Sequence, residues 1–445
     1  MKQSHFTLAI TALLIVACSS VPGEGPAAPN LPQPSSQIVL SLRDSTVTAG
    51  ATTVGTVTLS NGLTLPVGTR ISWSTSNADV ATVDSVGNVA AVGEGTATIT
   101  ASLGTARSSY RLEVRGIRAI VLADGGNCAL RSDGKVLCWG GFAIADGIGM
   151  SKNRPFEIPA PVAFNSIAVA RTHACAISVA NDLYCWGVSS FGELGVGVES
   201  TRLTEPTKVP GDRKYKAIAL GLFISCALDV AGSPYCWGSP VYGLGFGPGR
   251  TPVVVPTAVP SSASYDRIVS TFYNVCASVV TGQTACWGDA VLPLGGVSVT
   301  NGVASAGNWF CSATASGDAA CWTSALFINT VQPATIVMAG LGLTYVAPSF
   351  DGKSICGLKS DGSAVCWGDN WAGQLGTGVV EETGRPEPPK NVAGQLRFRA
   401  IALKRSFGCG VTTVGRLYCW GDNHLGEFGD GTTVSSATPV PISIP

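Results

Sequence analysis

The most constraining feature of this chain is a cysteine pattern that occurs seven times. In each copy a cysteine is followed ten positions later by a second cysteine, and a tryptophan comes directly after the second. The pairs are Cys128/Cys138, Cys175/Cys185, Cys226/Cys236, Cys276/Cys286, Cys311/Cys321, Cys356/Cys366 and Cys409/Cys419. Seven copies of one short pattern predict seven copies of one local structure.

The spacing within each pair favours a β-hairpin with a three-residue loop. Such loops need a left-handed residue at their third position, which favours Gly or Asn. That position holds Gly134, Asn181, Gly232, Gly282, Gly317, Gly362 and Gly415. The two cysteines then face each other on antiparallel strands, close enough for a disulfide. Zinc sites favour shorter Cys-x2-Cys spacings, and buried free thiols remain the alternative in a reducing compartment.

The amino terminus indicates the compartment. Residues 1–17 contain Lys2 and an apolar run too short to span a bilayer, as in a signal peptide. The stretch Ile15-Val16-Ala17-Cys18 resembles a bacterial lipobox, which implies cleavage before Cys18 and attachment of lipid to that cysteine. The residue after the cysteine is Ser19 and not Asp, which resembles the rule for sorting bacterial lipoproteins to the outer membrane. We therefore expect a lipid-anchored protein of the cell envelope, in an oxidising location that favours seven disulfides.

Two segments precede the cysteine repeats. Residues 18–37 are rich in Pro, Ser and Gly and predict an extended tether. Residues 38–115 alternate apolar and polar positions, as in TATITASL from Thr96, which predicts short strands in a β-sandwich. The stretch from Ile71 to Ala101 resembles the group 2 bacterial immunoglobulin-like domain, with Trp73 at a core position. We expect this domain to act as a spacer.

Residues 116–445 repeat more than the cysteine hairpin. Each copy has an apolar strand before it, such as KAIAL, and several have a Gly-rich turn, such as FGELGVG from Phe191, and a Pro-led strand after it. This order resembles the repeat of the regulator of chromosome condensation family, whose members are seven-bladed β-propellers. Blade five departs most, with Thr323 where Gly usually follows Trp.

The predicted fold class is all-β: an immunoglobulin-like β-sandwich followed by a seven-bladed β-propeller with one hairpin disulfide per blade. We expect Thr438–Ile442 and Ile117–Ala123 to share one blade and close the ring. We also expect each cysteine pair to clamp its own hairpin while the adjacent tryptophan packs between blades, since neighbouring side chains on a strand point to opposite faces.

Little in the chain points to catalysis or to nucleic acid. Only three histidines are present, and the sequence contains no Gly-x-Ser-x-Gly, His-Glu-x-x-His or EF-hand motif. The net charge of the chain is zero and the sequence contains no cluster of Lys and Arg, so it offers no basic surface to the phosphates of nucleic acid. Asp289, Asp369 and Asp422 recur after Trp-Gly, where Asp commonly bonds its own backbone. We therefore predict no enzyme activity, no cofactor and no metal.

A candidate binding face lies just before the first cysteine of each blade, where one strand turns into the next. Aromatic and Arg residues on a shared rim are typical of binding hot spots. The candidate residues are Arg171, His173, Phe223, Tyr273, Asn274, Trp309, Lys404, Arg405 and Phe407.

These features predict a monomeric, lipid-anchored envelope protein whose propeller binds a protein or a glycan. The name-giving family member exchanges nucleotide on a nuclear GTPase, a role we do not expect outside the cytoplasm. A relative of the same repeat type inhibits secreted β-lactamases through its loop face, so inhibition of a secreted hydrolase is the alternative. A third hypothesis is an enzyme whose active site lies in the central channel of the propeller, and the scarcity of histidine disfavours it.

Overall fold

The structure is a computed structural model. It describes residues 37–60, 62–123, 126–140, 153–240, 244, 251–279, 284–288, 299–306, 309–323, 335–381 and 384–444. The predicted signal peptide, Cys18 and nearly all of the predicted tether lie outside these ranges. No helix in the described ranges is long and apolar enough to cross a membrane.

The first domain is a sandwich of two four-stranded sheets, with orders β1-β3-β6-β5 and β2-β8-β7-β4. Its strands are β1 (Ile38–Leu42), β2 (Thr46–Thr48), β3 (Thr52–Leu59), β4 (Ser72–Thr75), β5 (Ala81–Val83), β6 (Asn88–Ala91), β7 (Gly95–Leu103) and β8 (Ala106–Arg115).

Alternation along β7 builds the sandwich core. Ala97, Ile99 and Ala101 are buried, while the threonines between them are more exposed. Trp73 packs against this core from the edge and is only partly buried. Gly87 lies so close to it that a Cβ there would stand 2.6 Å from the indole.

Seven further sheets follow, and each is built from consecutive strands. Blade one contains β9 (Ile117–Ala123), β10 (Gly126–Arg131), β11 (Val136–Trp139) and β12 (Phe156–Glu157). Blade two contains β13 (Phe164–Val169), β14 (His173–Ser178), β15 (Leu183–Ser189) and β16 (Thr201–Lys208). Blade three contains β17 (Tyr215–Leu220), β18 (Ile224–Asp229), β19 (Pro234–Gly238) and β20 (Val253–Ala258).

Blades four to seven repeat this arrangement. Blade four is described by β21 (Arg267–Ser270), β22 (Asn274–Ser278) and β23 (Thr284–Gly288). Blade five contains β24 (Val299–Ala306), β25 (Trp309–Thr314), β26 (Ala319–Thr323) and β27 (Thr335–Met338). Blade six contains β28 (Leu343–Pro348), β29 (Ser354–Lys359), β30 (Ala364–Gly368) and β31 (Glu387–Asn391). Blade seven contains β32 (Phe398–Leu403), β33 (Phe407–Thr412), β34 (Leu417–Gly421) and β35 (Ser436–Ile442). A short 3₁₀ segment, Ala393–Gln395, precedes blade seven.

The first strand of each blade contacts the neighbouring blade, and the last blade contacts the first, so the seven sheets form a closed ring. The two faces of the ring differ in their loops. We call the face with the connections between first and second strands the upper face. The face with the hairpin loops between second and third strands is the lower face.

The hairpins have the predicted geometry. All seven cysteine pairs lie directly opposite each other and are joined as disulfides. The third loop residue has positive φ at each described position, including Asn181 at 62°. Gly282 lies outside the described residues.

One cysteine of the repeat, Cys286 of blade four, is less enclosed than the others. It lies opposite Cys276 and is bonded to it, as predicted. Cys286 is only partly buried, however, whereas the other thirteen cysteines of the repeat are buried. In the other blades a fourth strand pairs with the strand that carries this cysteine, and the described part of blade four includes no such strand. The disulfide of blade four is therefore less enclosed than the other six.

The disulfides do more than clamp their own hairpins, which corrects the division of roles that we expected. Within the described residues, the tryptophan of six blades shares a buried cluster with the disulfide of the preceding blade. The sets are Trp139 with Cys409 and Cys419, Trp186 with Cys128 and Cys138, Trp237 with Cys175 and Cys185, Trp287 with Cys226 and Cys236, Trp367 with Cys311 and Cys321, and Trp420 with Cys356 and Cys366. Both members of the Cys-Trp pair therefore serve blade interfaces, one on each side.

The Gly-x-Leu-Gly turn, with Phe428 in place of Leu in blade seven, completes three of these interfaces by offering a backbone carbonyl to the next tryptophan. The indole N–H donates from Trp237 to the carbonyl of Glu193, from Trp420 to that of Gln374 and from Trp139 to that of Glu427, at 2.7, 2.9 and 2.8 Å. The second glycine lies against the ring, since a Cβ on Gly195 would stand 2.8 Å from the indole nitrogen. The tryptophan of the neighbouring blade thus accounts for both the position of the accepting carbonyl and the glycine two residues later.

The ring does not close as predicted. The expected shared blade is wrong, because β35 pairs with β34 in blade seven and β9 pairs with β10 in blade one. The ends of the ring instead meet side by side. The Ile117 amide donates to the Gly415 carbonyl at 2.9 Å, and Asn127 Nδ2 and the Trp139 indole both donate to the Glu427 carbonyl. Packing and hydrogen bonds, without strand exchange, form this seam.

The immunoglobulin-like domain touches both sides of the seam at the lower face. The Glu94 amide donates to the Val414 carbonyl of blade seven at 2.9 Å, and the Glu94 carboxylate lies 3.3 Å from Arg399. On the other side, Arg115 lies 2.8 Å from Asp133 in the hairpin loop of blade one. The domain is therefore attached to the propeller as well as covalently joined to it.

Replacing Val414 with Asp tests this attachment. A carboxylate at Val414→Asp would face Glu94 and disturb the contact with Gly93, so we expect a loss of about 1 kcal/mol in the local contact. The Glu94 amide should then exchange its hydrogen roughly fivefold faster, measured by hydrogen exchange. Val230→Asp, at an exposed valine in the hairpin loop of blade three, is the control. Equal Glu94 exchange in both variants would show that the attachment contributes nothing.

Candidate functional site

A cavity of about 470 Å³ lies at the centre of the ring. Its walls are the ends of the seven innermost strands nearest the upper face, and the first connections of several blades surround its mouth. The immunoglobulin-like domain contacts the opposite, lower face. The cavity and the immunoglobulin-like domain thus lie on opposite sides of the ring.

The described lining is mostly apolar and contains small residues such as Ala123, Ala304 and Ala402. Small side chains on the inner strands leave the centre of the ring open. Arg171 and Lys404 are the charged residues of this lining, and no carboxylate is among its described members. Lys404 Nζ donates to the Ala123 carbonyl at 2.8 Å and lies 5.8 Å from the centre of the Phe407 ring.

The first connections are tight in four blades. The residue directly after the inner strand donates its amide to the carbonyl three positions later, as Ala170 does to His173 and Thr271 does to Asn274, both at 2.8 Å. Only two residues are left at the tip of each connection. The tips are Arg171-Thr172, Leu222-Phe223, Phe272-Tyr273 and Arg405-Ser406.

Aromatic rings cluster on the same face. Phe272 of blade four packs edge-on against Phe350 of blade six, with ring centres 4.9 Å apart, and against Tyr273 at 5.9 Å. Phe223 meets Phe191 at 5.3 Å. These rings are half-buried or exposed, so part of their apolar surface remains accessible beside the cavity mouth.

The structure places most of the predicted face residues on this face. Arg171 and Arg405 are exposed, and Phe223, Tyr273 and Lys404 are partly buried. Arg405 lies 3.6 Å from Asp351 of blade six. Trp309 packs against the blade six connection, where its indole leaves no room for a Cβ on Gly352.

Three predicted face residues do not reach the surface. His173, Asn274 and Phe407 are buried, at 0%, 1% and 2% exposure, and we remove them from the candidate face. They are buried because the second strand begins earlier than we expected. The residue two places before the first cysteine of the blade already belongs to that strand. It pairs there with the residue after Cys-Trp, as His173 does with Gly187. The loop tip lies one residue earlier than the prediction assumed.

Two residues of this site were missed, Phe272 and Phe350. Phe272 is the fourth residue before Cys276, the tip position that Arg171 and Arg405 occupy in their own blades. Aligning the two-residue tips, instead of the position before each cysteine, would have found it. Phe350 belongs to a longer connection in blade six and had no equivalent to indicate it.

His173 is part of the packing between blades two and three. Its Nε2 lies 2.9 Å from Ser225 Oγ, whose hydroxyl donates to the Glu193 carbonyl that also accepts the Trp237 indole. Complete burial lowers the pKa of His173 to about 3. A histidine that stays neutral and enclosed at ordinary pH supports structure and does not exchange protons with a substrate.

A Ser-His-Asp group on the upper side of blade seven does not form a catalytic triad. Asp422 and Ser435 both face the same nitrogen of His424, Nδ1, so no serine hydroxyl is near the other nitrogen. No group of three His, Cys, Asp or Glu residues suited to a metal occurs among the described residues. Asp289 lies outside them.

Comparison with known proteins agrees with this architecture. Residues 37–114 match the bacterial Ig-like domain (group 2), and residues 181–228 and 398–427 match the regulator of chromosome condensation (RCC1) repeat. The chain is therefore an immunoglobulin-like domain followed by an RCC1-type propeller.

Solved structures show the same propeller fold at low sequence identity. The yeast RCC1 protein Prp20, solved bound to Kap60, has a TM-score of 0.57 and 19% identity, covering 69% of this chain and 83% of that one. Human WBSCR16 has a TM-score of 0.56 and 17% identity, covering 66% and 85%. At these identities the likeness concerns the fold alone.

Curated relatives match over short segments. The ultraviolet-B receptor UVR8 of Arabidopsis thaliana is 29% identical over 133 residues, which is 28% of this chain and 30% of that protein. The probable E3 ubiquitin-protein ligase HERC4 of Rattus norvegicus is 29% identical over 79 residues, 17% of this chain and 8% of that protein. The matched segments thus cover less than a third of either relative.

The two described histidines should titrate very differently. The hydrogen bond from His424 to the Asp422 carboxylate favours its charged form and raises the pKa of His424 above its ordinary value. His424 should therefore stay protonated to higher pH than a free histidine, and the contact should weaken as pH rises through that pKa. In a proton NMR titration, one ring signal should move with a midpoint above about 6.5 while that of His173 stays still.

Asp422→Asn is the matched variant for this titration. It should lower the midpoint of His424 towards about 6.5, because an amide does not stabilise the charged ring as a carboxylate does. Asp430→Asn, on the same loop, is the control and should leave the midpoint in place. A His424 midpoint that does not respond to Asp422→Asn would contradict the assignment.

Proposed function

We propose that this chain is a non-enzymatic binding protein that recognises a partner protein at the upper face of its propeller. The observation that carries the proposal is the division between the two faces. The immunoglobulin-like domain contacts the hairpin loops of the lower face, through Glu94 and Arg115. The cavity mouth and its aromatic and cationic residues lie on the opposite side of the ring.

The chemistry of the upper face supports protein recognition. Phe223, Phe272 and Phe350 offer apolar ring surface, and Arg171 offers a planar group with several hydrogen-bond donors. Residues of these types dominate the binding energy of protein interfaces. The resembling yeast propeller was solved bound to another protein, Kap60, which is consistent with this use of the fold.

We further propose that the other end of the chain anchors it in a membrane. The lipobox-like stretch before Cys18 supports attachment of lipid to that residue, and the Pro- and Ser-rich segment to residue 37 supports a flexible tether. The lower face would then point back towards the membrane and the cavity mouth away from it. The protein would act in the cell envelope, most simply at the outer membrane.

A capture experiment tests recognition at the upper face. The full chain, purified in detergent, would be used to capture proteins from an envelope extract. Changing Arg171, Phe272 and Phe350 together to Ala should lower retention of the specific partner at least about 100-fold, since each of these types is a frequent hot spot. Thermal unfolding would confirm that the variant is folded.

Val179→Ala with Val230→Ala, at exposed valines of the lower face, is the control for capture. It should retain the same partner as the unchanged chain. Capture that the upper-face variant leaves intact would refute the proposed face. A captured hydrolase whose activity is blocked at one-to-one stoichiometry would identify the protein as an inhibitor.

The anchor is tested separately. A metabolically supplied labelled fatty acid should be incorporated into the unchanged chain and not into Cys18→Ser, because the thiol is the site of attachment. Fractionation should place only the unchanged chain in the membrane. The control is Cys128→Ser with Cys138→Ser, which removes one disulfide and should leave labelling unaffected. Equal labelling of Cys18→Ser would rule out this anchor.

A further inference from the structure

The charge of the cavity mouth points to one class of ligand, provided that the upper face binds a partner as proposed above. The described lining combines apolar walls with Arg171 and Lys404 and includes no carboxylate. An anion carried by an apolar group would match both properties. A cation or a purely polar ligand would match neither.

Arg171 is the residue on which this inference depends. It stands at the tip of the blade two connection, is exposed, and lines the cavity. Among the described residues it forms no hydrogen bond and no ion pair. Arg405, at the same tip position in blade seven, lies instead beside Asp351. Within the part of the chain that the structure describes, the Arg171 donors are therefore not engaged, while the equivalent Arg405 lies beside a carboxylate.

The position of Arg171 is also well defined by the backbone. The amide of Ala170 donates to the carbonyl of His173 at 2.8 Å, which closes the connection to two residues. His173 is itself fully buried between blades. The backbone that carries Arg171 is thus fixed before a ligand binds, so binding orders the side chain but little of the backbone.

Apolar surface in the same cavity supplies the second half of the site. Phe272 and Phe350 both line the cavity and stabilise each other edge-on at 4.9 Å. The inner strands add aliphatic walls, including Leu220 and Ile401. An apolar side chain placed next to an anion would be removed from water against these groups.

A carboxylate fits the mouth better than a phosphate. A guanidinium pairs with a carboxylate through two parallel hydrogen bonds and one unit of charge. A phosphate group carries about 1.5 to 2 negative charges at neutral pH and would need Lys404 as well as Arg171, but the Lys404 ammonium already donates to the Ala123 carbonyl.

We propose that the cavity mouth takes a peptide carboxylate flanked by an apolar residue. The carboxylate, from an acidic side chain or a chain's own C-terminus, pairs with Arg171. The apolar neighbour lies against Phe272 and Phe350. The partner protein of the upper face would present this acidic and apolar segment.

A selection from random peptides tests the proposal directly, because it requires no purified partner. Soluble hexapeptides with free C-termini would be incubated with the full chain in detergent, and the bound ones sequenced. We expect enrichment of Asp or Glu next to Leu, Ile or Phe, or of Leu, Ile or Phe at the C-terminal position, beside the free carboxylate. Replacing the enriched acid with its amide, and amidating the C-terminus, would show which carboxylate is bound. One of these two changes should weaken binding about tenfold.

Variants of the protein identify the pairing group. Arg171→Gln should weaken the selected peptide about tenfold and remove the difference between the acid and its amide. Arg202→Gln, at an exposed arginine on the outer strand of blade two, is the matched control and should change neither.

The outcomes separate this inference from the proposed function. Peptides without an acidic preference that still need Phe272 and Phe350 would overturn the carboxylate site and leave upper-face recognition standing. Binding that no upper-face variant affects, or retention of a neutral polysaccharide in place of any peptide, would overturn both. Competition by inorganic phosphate at lower concentration than acetate would show a phosphate site and contradict the proposal.

Discussion

The contact between a tryptophan and the disulfide of the preceding blade is the interaction on which the propeller depends. It recurs around the ring with the same partners, so every Cys-Trp pair in these clusters contributes to two different interfaces. A disulfide within a hairpin offers a compact, rigid and apolar surface, and an indole covers it with one large planar group. The charge-poor composition of the chain follows from this design, because the blade interfaces need apolar residues.

This design leaves the chemistry of the molecule to its loops. The cysteines of the repeat are all in disulfides, one of the two described histidines is enclosed, and the second glycine of each Gly-rich turn, such as Gly195, lies against the neighbouring indole. What varies between blades is the pair of residues at each upper tip, from Arg171-Thr172 to Phe272-Tyr273. A repeated framework with variable tips is a common way to make a specific surface from identical parts.

The sequence was sufficient for the framework because the framework is local and repeated. The three-residue loop and a left-handed residue at positions such as Asn181 predicted the hairpins and their disulfides, and both are confirmed. The ring closure was predicted wrongly, because which strands share a sheet depends on contacts between distant ends such as Ile117 and Gly415. The buried His173 and the missed Phe272 have one cause, a one-residue error in where the strand begins. Along a strand such an error exchanges interior for surface.

Each blade is one uninterrupted stretch of sequence, from the inner strand to the outer, including the blades on either side of the seam. The junction between blade seven and blade one therefore resembles every other junction in the ring. If the propeller alone were cut between any two blades, and Ile444 were joined to Gly116 through a linker, no sheet would be divided. Any blade could consequently be synthesised first while the cyclic order of the blades stays the same, and a genetic duplication or deletion of one repeat would add or remove one complete blade.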